Sequence, residues 1–300
     1  METLRAPVLP AQAARTQILR TVDELRAWSR RQRNDSGNAL YPTIGLVPTM
    51  GALHAGHASL ICAARETCTA VAVSIFVNPT QFGPNEDFAR YPRTFDADCA
   101  LAQSAGADVI FAPPVEELYP TGASTFVEVE DLGGRLDGAS RPGHFRGVAT
   151  IVAKLLIAAE PDRAFFGQKD AAQVAVIRRM TNDLRLATEI VVCATVREPD
   201  GLAMSSRNIY LGPAERVQAL TLSRALHRVE SLVLNGQRKS DILIAAAREI
   251  FAAEPGVRID YIALVDWNTL EPVETAAPGT LFAVAAYVGA TRLIDNTILE

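Results

Sequence analysis

Positive charge is in short supply in this chain. The 29 Lys and Arg residues are outnumbered by 34 Asp and Glu, giving a formal net charge of −5. Broad binding to nucleic acid or to an anionic membrane needs an accumulated positive field, so both are excluded as main functions, although a local basic pocket is not. Cysteine is also scarce: Cys62, Cys68, Cys99 and Cys193 contain no Cys-x-x-Cys spacing and stand in apolar segments. They read as reduced, partly buried thiols, not as metal ligands or disulfides. No apolar run reaches the roughly 20 residues needed to span a bilayer. Arg5, Arg15, Arg20, Pro7 and Pro10 interrupt the first twenty residues, so no signal peptide is expected and the cytoplasm is the expected location. Internal repeats and low-complexity tracts are missing too, apart from an Ala-rich bias that favours helix. Histidine occurs only four times, which makes its placement informative.

What the chain does have is core-forming material. Of its 300 residues 49% are apolar and 21% charged, ordinary globular values, and the length suits one large domain carrying a smaller one. Short β-branched runs alternate with longer helical patterns through the first two thirds. The pattern predicts strands near 43–48, 70–77, 108–112, 163–166 and 189–195, with helices near 22–32, 57–67, 94–105, 148–159 and 171–183. Two further helices, 213–235 and 240–253, precede apolar strand-like runs at 259–265 and 281–288. The expected fold is therefore α/β, a Rossmann-like doubly wound parallel sheet over residues 1–196 with a smaller α+β domain over 197–300. Gly- and Pro-rich stretches at 78–84, 113–122, 133–147 and 198–207 fall at or near predicted strand ends, where open α/β sheets bind ligands.

Two of the four histidines fall in one such place. Met50-Gly51-Ala52-Leu53-His54-Ala55-Gly56-His57 follows a predicted strand and opens a predicted helix. Glycines permit close backbone approach, a helix N-terminus offers free N–H groups to an anion, and two imidazoles at three-residue spacing add side-chain donors. The bland alternative is a tight turn with two solvated imidazoles. Asn78 and Gln81, past the second strand, bear neutral amides that both donate and accept, which suits a small polyhydroxy acid, although Asn-Pro is also a plain turn signal. Lys169, in Gly167-Gln168-Lys169-Asp170, is placed to reach phosphate oxygens, with a surface lysine as the alternative. Met204-Ser205-Ser206-Arg207 can donate to phosphate or simply cap a helix. Asp98, on a predicted helix, is a candidate for Mg²⁺, with a solvated helix face as the alternative. For His144 and Arg146, contacts with substrate and with another subunit stay equally open, and the polar segment 83–91 is a candidate flap.

These segments resemble a known family. His-x-Gly-His after a first strand is similar to the signature of the HIGH-type nucleotidyltransferase superfamily. Its context resembles the pantothenate synthetases (pantoate–β-alanine ligases), through Pro48–His54, Phe76–Phe82, Tyr91–Thr94, Arg141–Val148, Phe166–Asp170 and Met204–Asn208 in the family's order. Ala55 departs from the acidic residue that relatives often carry there, which leaves the imidazoles and Gly56 intact. The resemblance implies ATP-dependent, AMP-forming condensation of pantoate with β-alanine through pantoyl adenylate, with Mg²⁺ accompanying ATP and a homodimeric assembly. It implies ATP contacts at residues 50–57, Gly167, Gln168, Lys169, Asp170, Val196 and 204–207, with His54, His57, Lys169, Ser205, Ser206 and Arg207 catalytic. Gln81, Gln173 and Asn78 would hold pantoate or β-alanine. For His57 the family's proton-donor role and simple charge stabilisation are both compatible with the residues. The rivals are a HIGH-type enzyme that stops after nucleotidyl transfer, and a non-catalytic nucleotide-binding module.

Overall fold

The computed structural model describes residues 16–34, 42–84 and 86–300; most of the N-terminal segment considered above lies outside these. The larger sheet contains β1 (Gln17–Leu19), β2 (Ile44–Thr49), β3 (Ala70–Ile75), β4 (Val109–Phe111), β5 (Arg163–Gly167) and β6 (Glu189–Cys193). Their spatial order is β1-β4-β3-β2-β5-β6, and every neighbouring pair is parallel. The intervening helices are α1 (Val22–Asn34), α2 (Ala55–Thr67), α3 (Phe95–Ser104), the short α4 (Val115–Leu118) and α5 (Asp137–Ser140), α6 (His144–Ala159) and α7 (Ala171–Asp183).

Alternate strand residues show why these runs are apolar throughout. Leu46, Ala72, Phe111, Ala164 and Phe166 pack into one core with residues of α1, α6 and α7. Val47, Val71, Val73, Ile110 and Phe165 pack on the opposite face against α2 and α3. Both faces are covered, so the strands lose the polar alternation of a one-sided sheet. The chain runs outward from β2 through β3 to β4, then crosses back through α6 to β5 on the other side of β2. The connections therefore part at the carboxyl ends of β2 and β5, opening a crevice there.

After β6 come α8 (Pro213–Leu234), α9 (Ser240–Ala252) and an antiparallel sheet β7-β8-β9, built from β7 (Val257–Asp266), β8 (Thr280–Val288) and β9 (Thr291–Ile298). One set of its apolar residues packs with α8 and α9. Val265, Leu281 and Ala283 instead join the core of the first sheet. Trp267 fastens the contact, donating from Nε1 to the Ala171 carbonyl at 3.1 Å, with the Arg178 guanidinium 4.8 Å from its ring centre. The α+β domain is thus seated at the start of α7, beside the crevice.

The expected fold class holds, and several elements were not foreseen. β1 is only three residues long. β9 reads as polar, since Arg292, Asp295 and Asn296 interrupt it, yet pairing with β8 buries Asp295 and Asn296. α6 starts at His144, four residues before the expected 148, and α2 starts at Ala55 because His54 caps it. All four cysteines are unpaired.

Candidate active site

Between β2 and α2 the chain makes a tight turn whose amides are turned inward. Gly51 has φ +83°, and a Cβ there would come within 3.0 Å of Asp98 Oδ2, so a side chain is excluded on both counts. The Asp98 carboxylate accepts from Ala52 N (3.0 Å), Leu53 N (2.8 Å) and Thr94 Oγ1 (3.0 Å). Thr49 Oγ1 accepts from Gly51 N at 3.2 Å. Two sequence expectations change here. Asp98 is buried and lies outside the cleft lining, with its oxygens engaged by the turn; it shapes the loop and is not positioned as a Mg²⁺ ligand. The amides of Gly51, Ala52, Leu53, His54, Gly56 and His57 already have protein acceptors, so much of that task passes to side chains.

The three-residue spacing of the histidines is that of a reciprocal helix cap. His54 Nδ1 accepts from Gly56 N at 3.1 Å, and His57 Nδ1 accepts from His54 N at 3.3 Å. Each Nδ1 must therefore be unprotonated, which places the proton of the neutral ring on Nε2. The ring centres lie 4.1 Å apart. Burial, then the charge of Lys169, lowers the pKa of His54. Burial, then His54, holds His57 down to about 3. The site thus carries two neutral Nε2–H donors whose tautomer is chosen by the backbone.

One cleft is lined by His54, His57, Gln81, Lys169, Gln173 and Ser205, and by Met50, Gly56, Gly167, Asp170, Val196, Met204, Ser206 and Arg207. Gly51, Ala52, Leu53, Ala55 and Gln168, expected to contact nucleotide, are not in the lining. Gln168 Nε2 is directed at Asn296 Oδ1 (3.3 Å), while Asn296 Nδ2 donates to the carbonyls of Gln168 (3.0 Å) and Lys169 (2.9 Å). This buried amide of β9 shapes the Lys169 turn. Arg197 similarly ties the strand leading into the 204–207 loop to β9, forking onto Asp295 at 2.6 and 3.0 Å.

Asn78 lines the cleft beside Gln81, and its own polar atoms are held by the protein. Its Nδ2 donates to Gln81 Oε1 and to the Gly147 carbonyl, both at 3.1 Å, and its Oδ1 accepts from Tyr119 Oη (2.9 Å) and Thr80 Oγ1 (3.0 Å). With its polar atoms occupied, Asn78 orients Gln81. Among the described residues Gln81 Nε2 meets only the Met50 thioether, at 2.7 Å, and sulfur is a weak acceptor; a carboxylate or hydroxyl oxygen would displace it. Gly147 lets α6 approach this turn, since a Cβ there would fall 2.3 Å from the Thr80 carbonyl oxygen.

Ser205 caps a short 3₁₀ turn, accepting from Arg207 N at 3.3 Å. The Arg207 guanidinium forks onto Asp87 at 3.0 Å twice, Tyr91 Oη lies 3.3 Å from Ser206 Oγ, and Tyr210 Oη donates to the Arg90 carbonyl at 3.1 Å. Residues 87–91 of the expected flap are therefore docked on the 205–210 loop. Arg146 stays outside the cleft, over the Phe126 ring at 3.9 Å. Thr195, not foreseen from sequence, lines the cleft with a buried hydroxyl that has no hydrogen-bond partner among the described residues; no local pattern marks it.

Known proteins match this chain over nearly its whole length. A pantothenate synthetase from Acidobacterium capsulatum is 59% identical over 285 residues, covering 93% of this chain and 95% of its own. One from Heliobacterium modesticaldum is 54% identical, covering 94% and 99%. The crystal structure of pantothenate synthetase from Thermus thermophilus superposes with TM-score 0.87 at 45% identity, covering 94% of this chain and 99% of its own. That of a pantoate-β-alanine ligase from Francisella tularensis, complexed with β-γ ATP and β-alanine, gives TM-score 0.71 at 33% identity and covers 94% and 97%. A family model described as pantoate-β-alanine ligase matches residues 17–298. Sequence, fold and the convergence of the histidine, lysine and glutamine segments agree: the chain belongs to the pantoate–β-alanine ligase family.

Proposed function

We propose that the cleft condenses pantoate with β-alanine in two steps. The pantoate carboxylate attacks the α-phosphorus of ATP, pyrophosphate leaves, and pantoyl adenylate forms. The neutral amine of β-alanine then attacks the activated carbonyl, AMP leaves, and the amine loses a proton as the amide of pantothenate forms. An unactivated carboxylate would have to expel oxide or hydroxide, whereas AMP is a good leaving group. The chain's work is positioning and neutralising phosphate charge.

The observation that carries this reading is one cleft at the sheet's switch point holding two neutral imidazole donors, a lysine and two glutamine amides. His54, His57 and Lys169 stabilise charge growing on the α-phosphate. Ser205, Ser206 and Arg207 hold the other phosphates, with Arg207 exchanging Asp87 for phosphate oxygen. Gln81 and Gln173 orient pantoate, and Val196 and Met204 line the nucleotide side. The turn at 51–55 contributes through its shape, as does Gln168. Mg²⁺ accompanies the nucleotide: Asp170 is the one carboxylate in the cleft lining among the described residues, and a carboxylate with triphosphate oxygens forms the hard donor set this ion prefers. The ion would neutralise triphosphate charge.

The same reading includes a division at 196/197, supported by separate cores that share only a seam, and a homodimer, which light scattering would test. It places the enzyme in the cytoplasm; among the described residues no helix is long and apolar enough to cross a membrane. The decisive experiment mixes enzyme, MgATP and pantoate without β-alanine. One equivalent of pyrophosphate per site, followed by AMP only when β-alanine is added, is expected. Absence of the burst would refute the adenylate scheme.

A further inference from the structure

The cleft accounts for the side chain of Gln81 but not for the ionic residues behind it. Arg141 and His144 do not line the cleft; they line a smaller adjoining cavity. His144 Nδ1 lies 2.8 Å from the Gln81 carbonyl oxygen, and its Nε2 lies 3.0 Å from Arg141 Nη1. A carbonyl only accepts and a guanidinium only donates, so both contacts are satisfied by one species, the neutral Nδ1–H imidazole. Burial and the neighbouring Arg141 charge hold its pKa down to about 4, which keeps that species in place at neutral pH. Arg141 Nη2 also reaches the Gln81 carbonyl at 3.3 Å, and the guanidinium forks onto Glu86 at 2.7 and 2.5 Å. From the other side Asn78 occupies Gln81 Oε1. Both acceptor atoms of Gln81 are thus engaged by the protein, which leaves its Nε2 donors for the cleft.

We propose that Glu86, Arg141 and His144 form a positioning relay that fixes the main-chain carbonyl of Gln81, so that its Asn78-held side-chain amide is placed to present Nε2 to pantoate, and links that placement to the segment carrying Glu86. The proposal rests on the reading of Gln81 as a pantoate contact. An apolar backing would pack against the turn but could not hold the Gln81 main-chain carbonyl by hydrogen bonds. A half-buried ion pair is an expensive way merely to fill space, because its desolvation offsets much of its attraction. The relay also accounts for the Arg-Pro-Gly-His-Phe-Arg-Gly run: Arg141 and His144 hold Gln81 while Gly147 lets α6 come close enough for them to reach it.

Steady-state kinetics on four variants test the relay, with the thermal midpoint of each recorded alongside. His144→Phe keeps a ring and removes both hydrogen bonds; His144→Asn keeps an N–H near the position of Nδ1. His144→Phe is expected to raise the KM for pantoate about tenfold, the scale of one lost hydrogen bond, with the KM for ATP within about twofold. His144→Asn should recover most of that loss. Arg141→Ala and Glu86→Gln should act in the same direction, the second by about threefold, and they carry the test if His144→Phe does not fold. Two outcomes overturn the relay: folded variants with unchanged pantoate KM, or equal rises in the ATP and pantoate KM that follow a lowered midpoint. The comparison is made against a parent enzyme that turns over, so its failure is distinct from a parent that forms no AMP, which would refute the activity itself.

Discussion

Asparagine at position 57 separates the two jobs of this histidine. In the structure His57 Nδ1 accepts from His54 N, completing the helix cap, which leaves Nε2–H as the donor proposed to meet phosphate. Asn Oδ1 can take the place of Nδ1 but supplies no donor at the Nε2 position. Stability should fall by less than about 1 kcal/mol, because the cap survives. Losing one donor to a developing oxyanion should slow adenylate formation by about 10² to 10³, equivalent to about 2.7–4 kcal/mol. His57→Gln keeps both kinds of group: its Oε1 can accept from the His54 amide, as Gln does in such caps, and its amide N–H can reach toward the lost Nε2, so stability should change little and more of the rate should remain. Rapid-quench single turnovers with ATP and pantoate, run beside urea melts, read both quantities. With a pKa of about 3, an imidazolium would make up only about one part in 10⁴ of the free enzyme at pH 7, which favours charge stabilisation over proton donation. A parental rate in His57→Asn, or a His57→Gln variant as slow as His57→Asn, would refute this reasoning.

Asp98→Asn should raise the KM for ATP several-fold and destabilise the fold by about 1–3 kcal/mol, since its new amide donor faces N–H groups. The Mg²⁺ concentration giving half-maximal rate should not move, and a large shift would restore Asp98 as a metal ligand. Acid should destabilise the protein before carboxylates titrate. The folded pKa values are about 3 for His57 and about 4 for His144, below the ordinary 6.5, so the unfolded chain takes up protons first and stability falls as pH drops from 7 toward 4. Each should cost about 2 kcal/mol at pH 5, and His144→Asn should remove its share in urea melts at pH 7 and 5. Gly147→Ala should lower the thermal midpoint and raise the pantoate KM together, because the new methyl displaces the Gln81 turn; unchanged values would show that the close approach relaxes freely.

Much of this molecule was legible locally. The runs at β2, β3 and β5 are apolar without alternation because both faces are covered, and the same runs mark where the crevice opens. Histidines three residues apart after a strand are enough to build a reciprocal cap, so their meeting is a local event. The catalytic segments could therefore be located by strand ends alone, and the family resemblance gave them roles. Partners could not be read in the same way. Asp98 looks like a solvated helix face or a metal ligand until α3 packs beneath the 51–53 turn. Asn78 looks like a substrate amide until Gly147, Thr80 and Tyr119 occupy it. β9 looks like a polar tail until β8 pairs with it.

By itself, then, the sequence determined the α/β class, the order of the strands along the chain and the strand-end segments that converge on the cleft. These depend on periodicity, glycine placement and side-chain type, all of which act over a few residues. Tertiary structure alone decided that Asn296 holds the Lys169 turn from 127 residues away, that Arg141 and His144 stand behind Gln81, and that the loop amides face inward to Asp98. A polar side chain declares what bonds it can make, but only the packing of distant elements supplies the atom it makes them with.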